Sequence, residues 1–245
     1  MNGSDKMSYY NKTVSVYGTE LQFVQKLIEE ITSADSRITC TTDDIEEQFA
    51  DSSAAPTFSF NFAGWDTITF TRNGSGTASS YVVRSTTNTS AYGAINFTSS
   101  SVNRDANTTR TYSFRIAGNS QAISFEIAMY NTTIQTPNMQ LVVINNGSIS
   151  GTAIASSQEY GIRKLLVMSD NSSVQKVDRL PYTYNSQDTS LLEYSESKTF
   201  LSGSSTNRAF SLSKMRDVTV TVPRTTISLD GQRYYVLDQY TIMEV

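Results

Sequence analysis

The 245-residue chain has no histidine and one cysteine, Cys40. The first absence removes the commonest general base, the commonest metal ligand and the usual activator of a serine or cysteine nucleophile. Ser-His-Asp and Cys-His catalysis and histidine-bearing zinc sites are therefore excluded within one chain. The second rules out an internal disulfide, and with no imidazole to activate it the Cys40 thiol reads as a packing group. Charge is scarce as well: Asp, Glu, Lys and Arg make up 17% of the chain, against about 25% in an average soluble domain. The 19 basic and 23 acidic residues are interspersed, for a net charge of −4, so the electrostatic footprint of a nucleic-acid binder is missing. Long apolar runs are also missing. Leu141 to Ile144 and Leu165 to Met168 fall far short of the roughly 20 residues a membrane-spanning helix needs. Residues Met1 to Met7 form no apolar h-region, so no secretory signal is expected.

What is present is aromatic surface, 14 tyrosines and 11 phenylalanines, set among neutral hydroxyls and amides. That surface can form a core, which argues against disorder. A short strand is expected at 12–16. A helix follows, opened by a Thr19/Gln22 capping box, in which each side chain satisfies a free backbone N–H of the first turn. Leu21, Val24, Leu27, Ile28 and Ile31 then recur at helical spacing and form one apolar stripe suited to docking on the chain's own sheet or on a neighbouring subunit. Arg37 to Cys40 reads as a second strand. Asp43 to Phe49 reads as a second short helix capped by Thr41 or Thr42, its acids complementing the helix dipole.

From Pro56 the hydrophobic period becomes two: Phe58, Phe60, Phe62; Ile68, Phe70; Tyr112, Phe114, Ile116; Ile123, Phe125, Ile127, Met129; Val218, Val220, Val222. Hydroxyl residues alternate with them, as in antiparallel strands wetted on one side. Asn73-Gly74, Gly118-Asn119, Asn146-Gly147 and Asp230-Gly231 supply residues that tolerate the positive φ of tight hairpin turns. The expected fold is mainly β, an antiparallel β-sandwich or jelly-roll-like architecture with an N-terminal αβ segment. The expected divisions are an N-terminal αβ docking region (1–55), a central antiparallel β domain (56–160) and a C-terminal β region (161–245), the last two able to form one domain.

No motif specifies catalysis, a cofactor or a metal. Asn73-Gly74-Ser75-Gly76 lies in a hairpin, not between a strand and a helix, so it is a turn and not a phosphate loop. A glycosidase needs two carboxylates about 5 to 9 Å apart. Glu126, expected to face solvent, and Asp66, Glu159 and Glu193 are the acids to consider. Asn103 to Asn107 and Asp170 to Ser172 offer oxygen ligands but lack the glycine and terminal glutamate of a calcium loop. The Asn-x-Ser/Thr sequons, from Asn2 to Asn171, follow from a composition rich in those residues. The remaining binding candidates are tyrosines: Tyr182 and Tyr184 after Pro181, and Tyr234 and Tyr235 after the Asp230-Gly231 turn. Tyrosines there can stack on sugars or anchor an interface.

Two stretches carry a resemblance. One runs from Tyr17-Gly18-Thr19-Glu20-Leu21-Gln22-Phe23-Val24 through Arg37-Ile38-Thr39-Cys40 to Phe58-Ser59-Phe60-Asn61-Phe62. The other is Leu229-Asp230-Gly231-Gln232-Arg233-Tyr234-Tyr235-Val236-Leu237-Asp238 with the closing strand Tyr240 to Val245. Both resemble small virion proteins encoded in the structural modules of phages and prophages of Gram-positive bacteria. The resemblance implies a non-enzymatic tail, baseplate or neck component located in the virion. Its partners would be other virion proteins and further copies of itself. The tyrosine candidates add a host-surface glycan, and composition and motifs add no nucleic acid, membrane insertion or cofactor. A receptor- or carbohydrate-binding module and a cell-wall glycoside hydrolase are the alternatives.

Overall fold

The computed structural model describes residues 8–74, 80–85, 88–97, 102–128, 139–145, 150–154, 165–167, 173–176, 183–184, 198–202, 209–212, 215–217, 219–220, 225–229, 231–238 and 241–245. Strand β1 (Ser8–Gly18) leads into helix α1 (Glu20–Ala34), then β2 (Ile38–Cys40) and the short helix α2 (Ile45–Ala50). A meander of β3 (Thr57–Phe62), β4 (Asp66–Arg72), β5 (Ser80–Ser85) and β6 (Asn88–Asn96) continues from β2 and forms a five-stranded sheet in the order β2-β3-β4-β5-β6. A second meander, β7 (Thr108–Gly118), β8 (Ala122–Ala128), β9 (Met139–Asn145) and β10 (Ser150–Ile154), joins β1 in the order β1-β7-β8-β9-β10. All pairings in these two sheets are antiparallel.

The inner faces meet over one aromatic core. Phe58 and Phe70 stack across strands at 5.1 Å, and Phe125 of the second sheet packs on Phe62 at 5.6 Å. The α1 stripe completes this core: Phe23, Val24, Leu27 and Ile31 are fully buried, and Leu21 and Ile28 pack against it half-buried. Phe23 reaches Phe97 and Tyr112. Of the two surfaces the stripe could cover, the described residues place it on the chain's own core. With β1 in one sheet and β2 in the other, residues 8–55 share the core of the central strands.

Several local expectations are corrected. The capping box at Thr19 and Gln22 is present, but α2 is preceded by Asp44, not capped by Thr41 or Thr42. Those threonines tie to β3 instead: the Thr42 hydroxyl accepts from Ser59 N, and Thr41 bonds Ser59 O. Gly118 and Asn119 do not form the β7–β8 turn. The Asn119 side chain accepts from Gln121 N and Ala122 N, leaving Ser120 and Gln121 as the turn. Gly118 is the last residue of β7, and Arg37 crosses where its Cβ would sit, with Arg37 Nη1 donating to Asn119 O at 2.5 Å. Gly74 and Gly231 do take the expected positive φ. Residues 146–149, with Asn146-Gly147, lie outside the described residues, as do Val218 and Val222.

The C-terminal part adds β11 (Leu165–Val167), β12 (Ser173–Lys176), β13 (Thr183–Tyr184), β14 (Lys198–Ser202), β15 (Ala209–Leu212), β16 (Met215–Asp217), β17 (Thr219–Val220), β18 (Thr226–Leu229), β19 (Gln232–Asp238) and β20 (Thr241–Glu244). They make a sheet β11-β12-β14-β15, a parallel pair β13-β17 and a sheet β16-β20-β19-β18. The last of these lies on the outer face of the β1-β7-β8-β9-β10 sheet, as Tyr235 reaching Arg115 and Glu126 demonstrates. From Tyr112 to Gly118 in β7 and from Ala122 to Ile127 in β8 the side chains are therefore buried on both faces, not wetted on one. Arg115, Ala117, Ser124 and Glu126 are nearly as inaccessible as the core side chains that alternate with them.

On the α1 surface, Lys12 reaches Glu30 Oε2 and Lys26 lies 3.1 Å from Glu30 Oε1. The Lys12 hydrogen bond, then that of Lys26, holds the Glu30 carboxyl below its ordinary range. A carboxylate depressed in the folded state adds stability above its unfolded pKa and loses it as pH falls through the folded one. Glu30→Gln is expected to lower the thermal midpoint at neutral pH. The difference from wild type should shrink as pH falls below about 4 and vanish once Glu30 is protonated in both states. Paired thermal melts across that range check this.

Candidate functional site: two buried arginine–glutamate clamps and two hydroxyl faces

Among the described residues the strongest concentrations of chemistry-bearing side chains are internal. The first forms where α1 begins. Glu20 is the first helical residue and is 3% exposed. Arg72 ends β4, and its Nε and Nη2 donate to the two Glu20 oxygens at 2.8 and 3.3 Å. The Tyr81 hydroxyl of β5 donates to Oε1. Arg110 of β7 brings Nη2 to 4.0 Å from Oε2 and donates Nη1 to Gly18 O at 2.5 Å. Arg72 also bonds Gly74 O at 2.7 Å. Burial, then the Glu20 charge, drives the Tyr81 pKa well above 10, so the phenol stays protonated and donates. Desolvation lowers the Arg110 pKa. Chemically, the group fixes one helix end to strands of both sheets, with the carboxylate held by two donors from one guanidinium.

The second clamp joins the C-terminal sheet to the sandwich. Tyr235 donates to Glu126 Oε1 at 2.5 Å, and Arg115 Nη1 donates to Glu126 Oε2 at 3.2 Å and to the Tyr235 hydroxyl at 3.0 Å. The Arg115 guanidinium also lies over the Tyr235 ring, 5.6 Å from its centroid. Burial, then the Glu126 charge, pushes the Tyr235 pKa well above 10. Burial opposes the charge on Arg115, but Tyr235 and Glu126 outweigh it and its pKa is raised. Around this centre Tyr9 packs on Tyr235 at 5.7 Å, Arg233 covers Tyr9, and Asn119 Nδ2 bonds Glu244 O at 2.9 Å.

The sequence candidates are distributed differently from expectation. Glu126 does not face solvent: it is 3% exposed and held by Arg115 and Tyr235. Tyr234 and Tyr235, expected as binding side chains, are buried, the first with Ile227, Leu229, Val236 and Ile242 and the second in the clamp. Their ring faces are taken up inside the chain, so neither can stack on a ligand. Tyr184 lies in β13, paired with Val220 and not in a loop. Tyr182, Glu159, Glu193 and Asp170 to Ser172 lie outside the described residues. Asp66 is buried and accepts from Thr67 N. In the 103–107 loop, Asn103 Oδ1 accepts from Asp105 N, and Arg104 turns inward to Ala54 O and Asp51 O. Among the described residues no group of three acidic or cysteine side chains could hold a metal. Cys40 is half-buried, its thiol near Thr42 O.

The side chains that β2 to β5 turn outward are neutral except for the exposed Arg84. On the outer face of the β2–β6 sheet, cross-strand pairs join Thr57 to Thr71 (3.3 Å), Ser59 to Thr69 (2.9 Å) and Asn61 to Thr67 (3.1 Å). On the opposite sheet Thr13 bonds Ser113 (2.6 Å) and Ser15 bonds Thr111 (2.8 Å). Such pairs reinforce the strands laterally. Compared with protein-family models, with curated proteins and with solved structures, the chain matches none.

Proposed function

We propose that this chain is a non-enzymatic structural component of a bacteriophage particle, a tail, baseplate or neck protein that works by holding other virion proteins. The observation that carries the reading is the disposition of its buried acids. Glu20 and Glu126 are each ion-paired with an arginine and hydrogen-bonded by a tyrosine of the same chain. A glycosidase needs one carboxyl free to donate a proton and a second free to attack or to activate water. Carboxylates ligated this way tie elements together. The resemblance of 17–62 and 229–245 to virion proteins supplies the setting, and the low charge of the exposed sheet faces suits close lateral packing. The test is quantitative mass spectrometry of gradient-purified particles from a lysate of the source strain. The expected result is this chain at a fixed ratio to other structural proteins. Its recovery only in the free soluble fraction, or turnover of host wall polysaccharide by the purified chain, overturns the reading.

A further inference from the structure

We infer that the free edge of β1 is an interface for a second copy of this chain, whose own β1 pairs with it antiparallel across a two-fold axis. The inference rests on the assembly reading above and assigns it a surface.

The backbone phase of β1 follows from two hydrogen bonds of β7. Thr111 N donates to Phe97 O, and Asn119 N, continuing β7, donates to Ala122 O. Odd-numbered residues of β7 therefore direct their amides away from β1. In an antiparallel ladder two opposed residues either bond each other or both turn their N–H and C=O groups away from each other, and Ser15 lies opposite Thr111. Tyr9, Asn11, Thr13, Ser15 and Tyr17 thus turn their N–H and C=O groups outward, while even-numbered residues bond β7. Among the described residues no strand pairs with that outer side.

Edges of this kind are normally blunted by brevity, proline, a bulge or an outward lysine. β1 runs for 11 residues without proline, and its register with β7 is unbroken. Its single charge, Lys12, is drawn to Glu30. The other edges differ: β2 has three residues, β6 faces a register shift between Val83 and Ser85, and β10 lies against β11. The outward-phase side chains Asn11, Thr13, Ser15 and Tyr17 are all exposed, and Tyr17, at 74%, is the one exposed large hydrophobic among the described residues.

The strand is complementary to itself. Full overlap of two antiparallel copies sets Thr13 opposite Thr13, Asn11 opposite Ser15 and Tyr9 opposite Tyr17, all from the outward phase, and so forms about ten backbone hydrogen bonds. Tyr10 then faces Val16 on the other side of the sheet, and Lys12 faces Val14, so no like charges meet. The Tyr9–Tyr17 pairs cover the exposed ring, and the Thr13–Ser113 row continues across the axis. An isologous contact of this type closes on itself.

The test is sedimentation of the full chain with two variants. Thr13→Pro deletes an outward amide while leaving every β1–β7 hydrogen bond, because proline is tolerated where the N–H points off the edge. Thr13→Lys keeps the backbone and sets two like charges opposite each other on the axis. Wild type is expected to sediment at twice the 27.1 kDa chain mass, and both variants as folded single chains by circular dichroism. A wild type that is a single chain at about 100 μM, where even a weak interface is populated, or variants that both remain dimeric, overturns the inference. Particle content is read separately. A chain that is monomeric in solution yet stoichiometric in particles removes only the β1 contact, and a dimer absent from particles removes only the virion setting.

Discussion

Replacing Glu20 by alanine is expected to destabilise the chain by about 3–5 kcal/mol, the cost of leaving buried charge without its partner. Arg72 and Arg110 are both essentially inaccessible and share this carboxylate. Without it, two guanidiniums face each other and the Tyr81 hydroxyl loses its acceptor. For a chain of this size, each kcal/mol moves the thermal midpoint by about 2–4 °C, so the midpoint should fall by roughly 10 °C. Glu20→Gln retains an acceptor for Arg72 and Tyr81 but not the charge, and should fall between wild type and alanine. A loss below about 1 kcal/mol for alanine, within the range of a surface ion pair, would mean that the cluster does not hold α1 to the sheets.

The second large effect is expected at Arg115. Arg115→Met leaves the Glu126 carboxylate buried without its guanidinium, again at about 3–5 kcal/mol. It also loosens one particular contact, because the same guanidinium bonds the Tyr235 hydroxyl and covers its ring. Amides of β18 to β20 should therefore exchange faster in Arg115→Met than in Glu20→Ala, even when the two variants are compared at equal global stability. Arg115→Met with Glu126→Leu removes both charges together, and such exchanges of a buried pair for apolar side chains are often neutral or stabilising. Most of the lost stability is expected to return in the double variant. Equal exchange in all variants would place the attachment of the C-terminal sheet elsewhere.

The strands were legible because their signal is local. Phe58, Phe60 and Phe62 alternate with Ser59 and Asn61 and are buried as that alternation requires. The helix was legible in the same way, from its stripe and the Thr19/Gln22 box. The turn after β3 was not. Ala63 and Gly64 both take positive φ, and alanine is a poor choice there. The conformation is held from outside the turn by Ala63 N on Arg37 O, a contact with no local signal, and locally by Gly64 N on Asn61 Oδ1.

The clamps divide along the same line. Arg72 shares strand parity with Ile68 and Phe70, and Arg110 with Tyr112 and Phe114. An inward-facing charge at the end of an apolar alternation is a readable sign of a buried partner, and parity applied to charged residues would have found both. Alternation places Glu126 on the face of β8 opposite Phe125 and Ile127, and the structure agrees. What covers that face is Tyr235, 109 residues further along the chain, and no local period carries that information. The same covering leaves Tyr235 no surface for a ligand.

The central claim is that this chain acts by contact between subunits, and electron cryo-microscopy of the intact particle tests it most directly. The expected result is repeated density for the paired five-stranded sheets, with the outer edge of β1 against a neighbouring copy. A particle map whose density is fully assigned to other proteins, with this chain nowhere in the assembly, would contradict it.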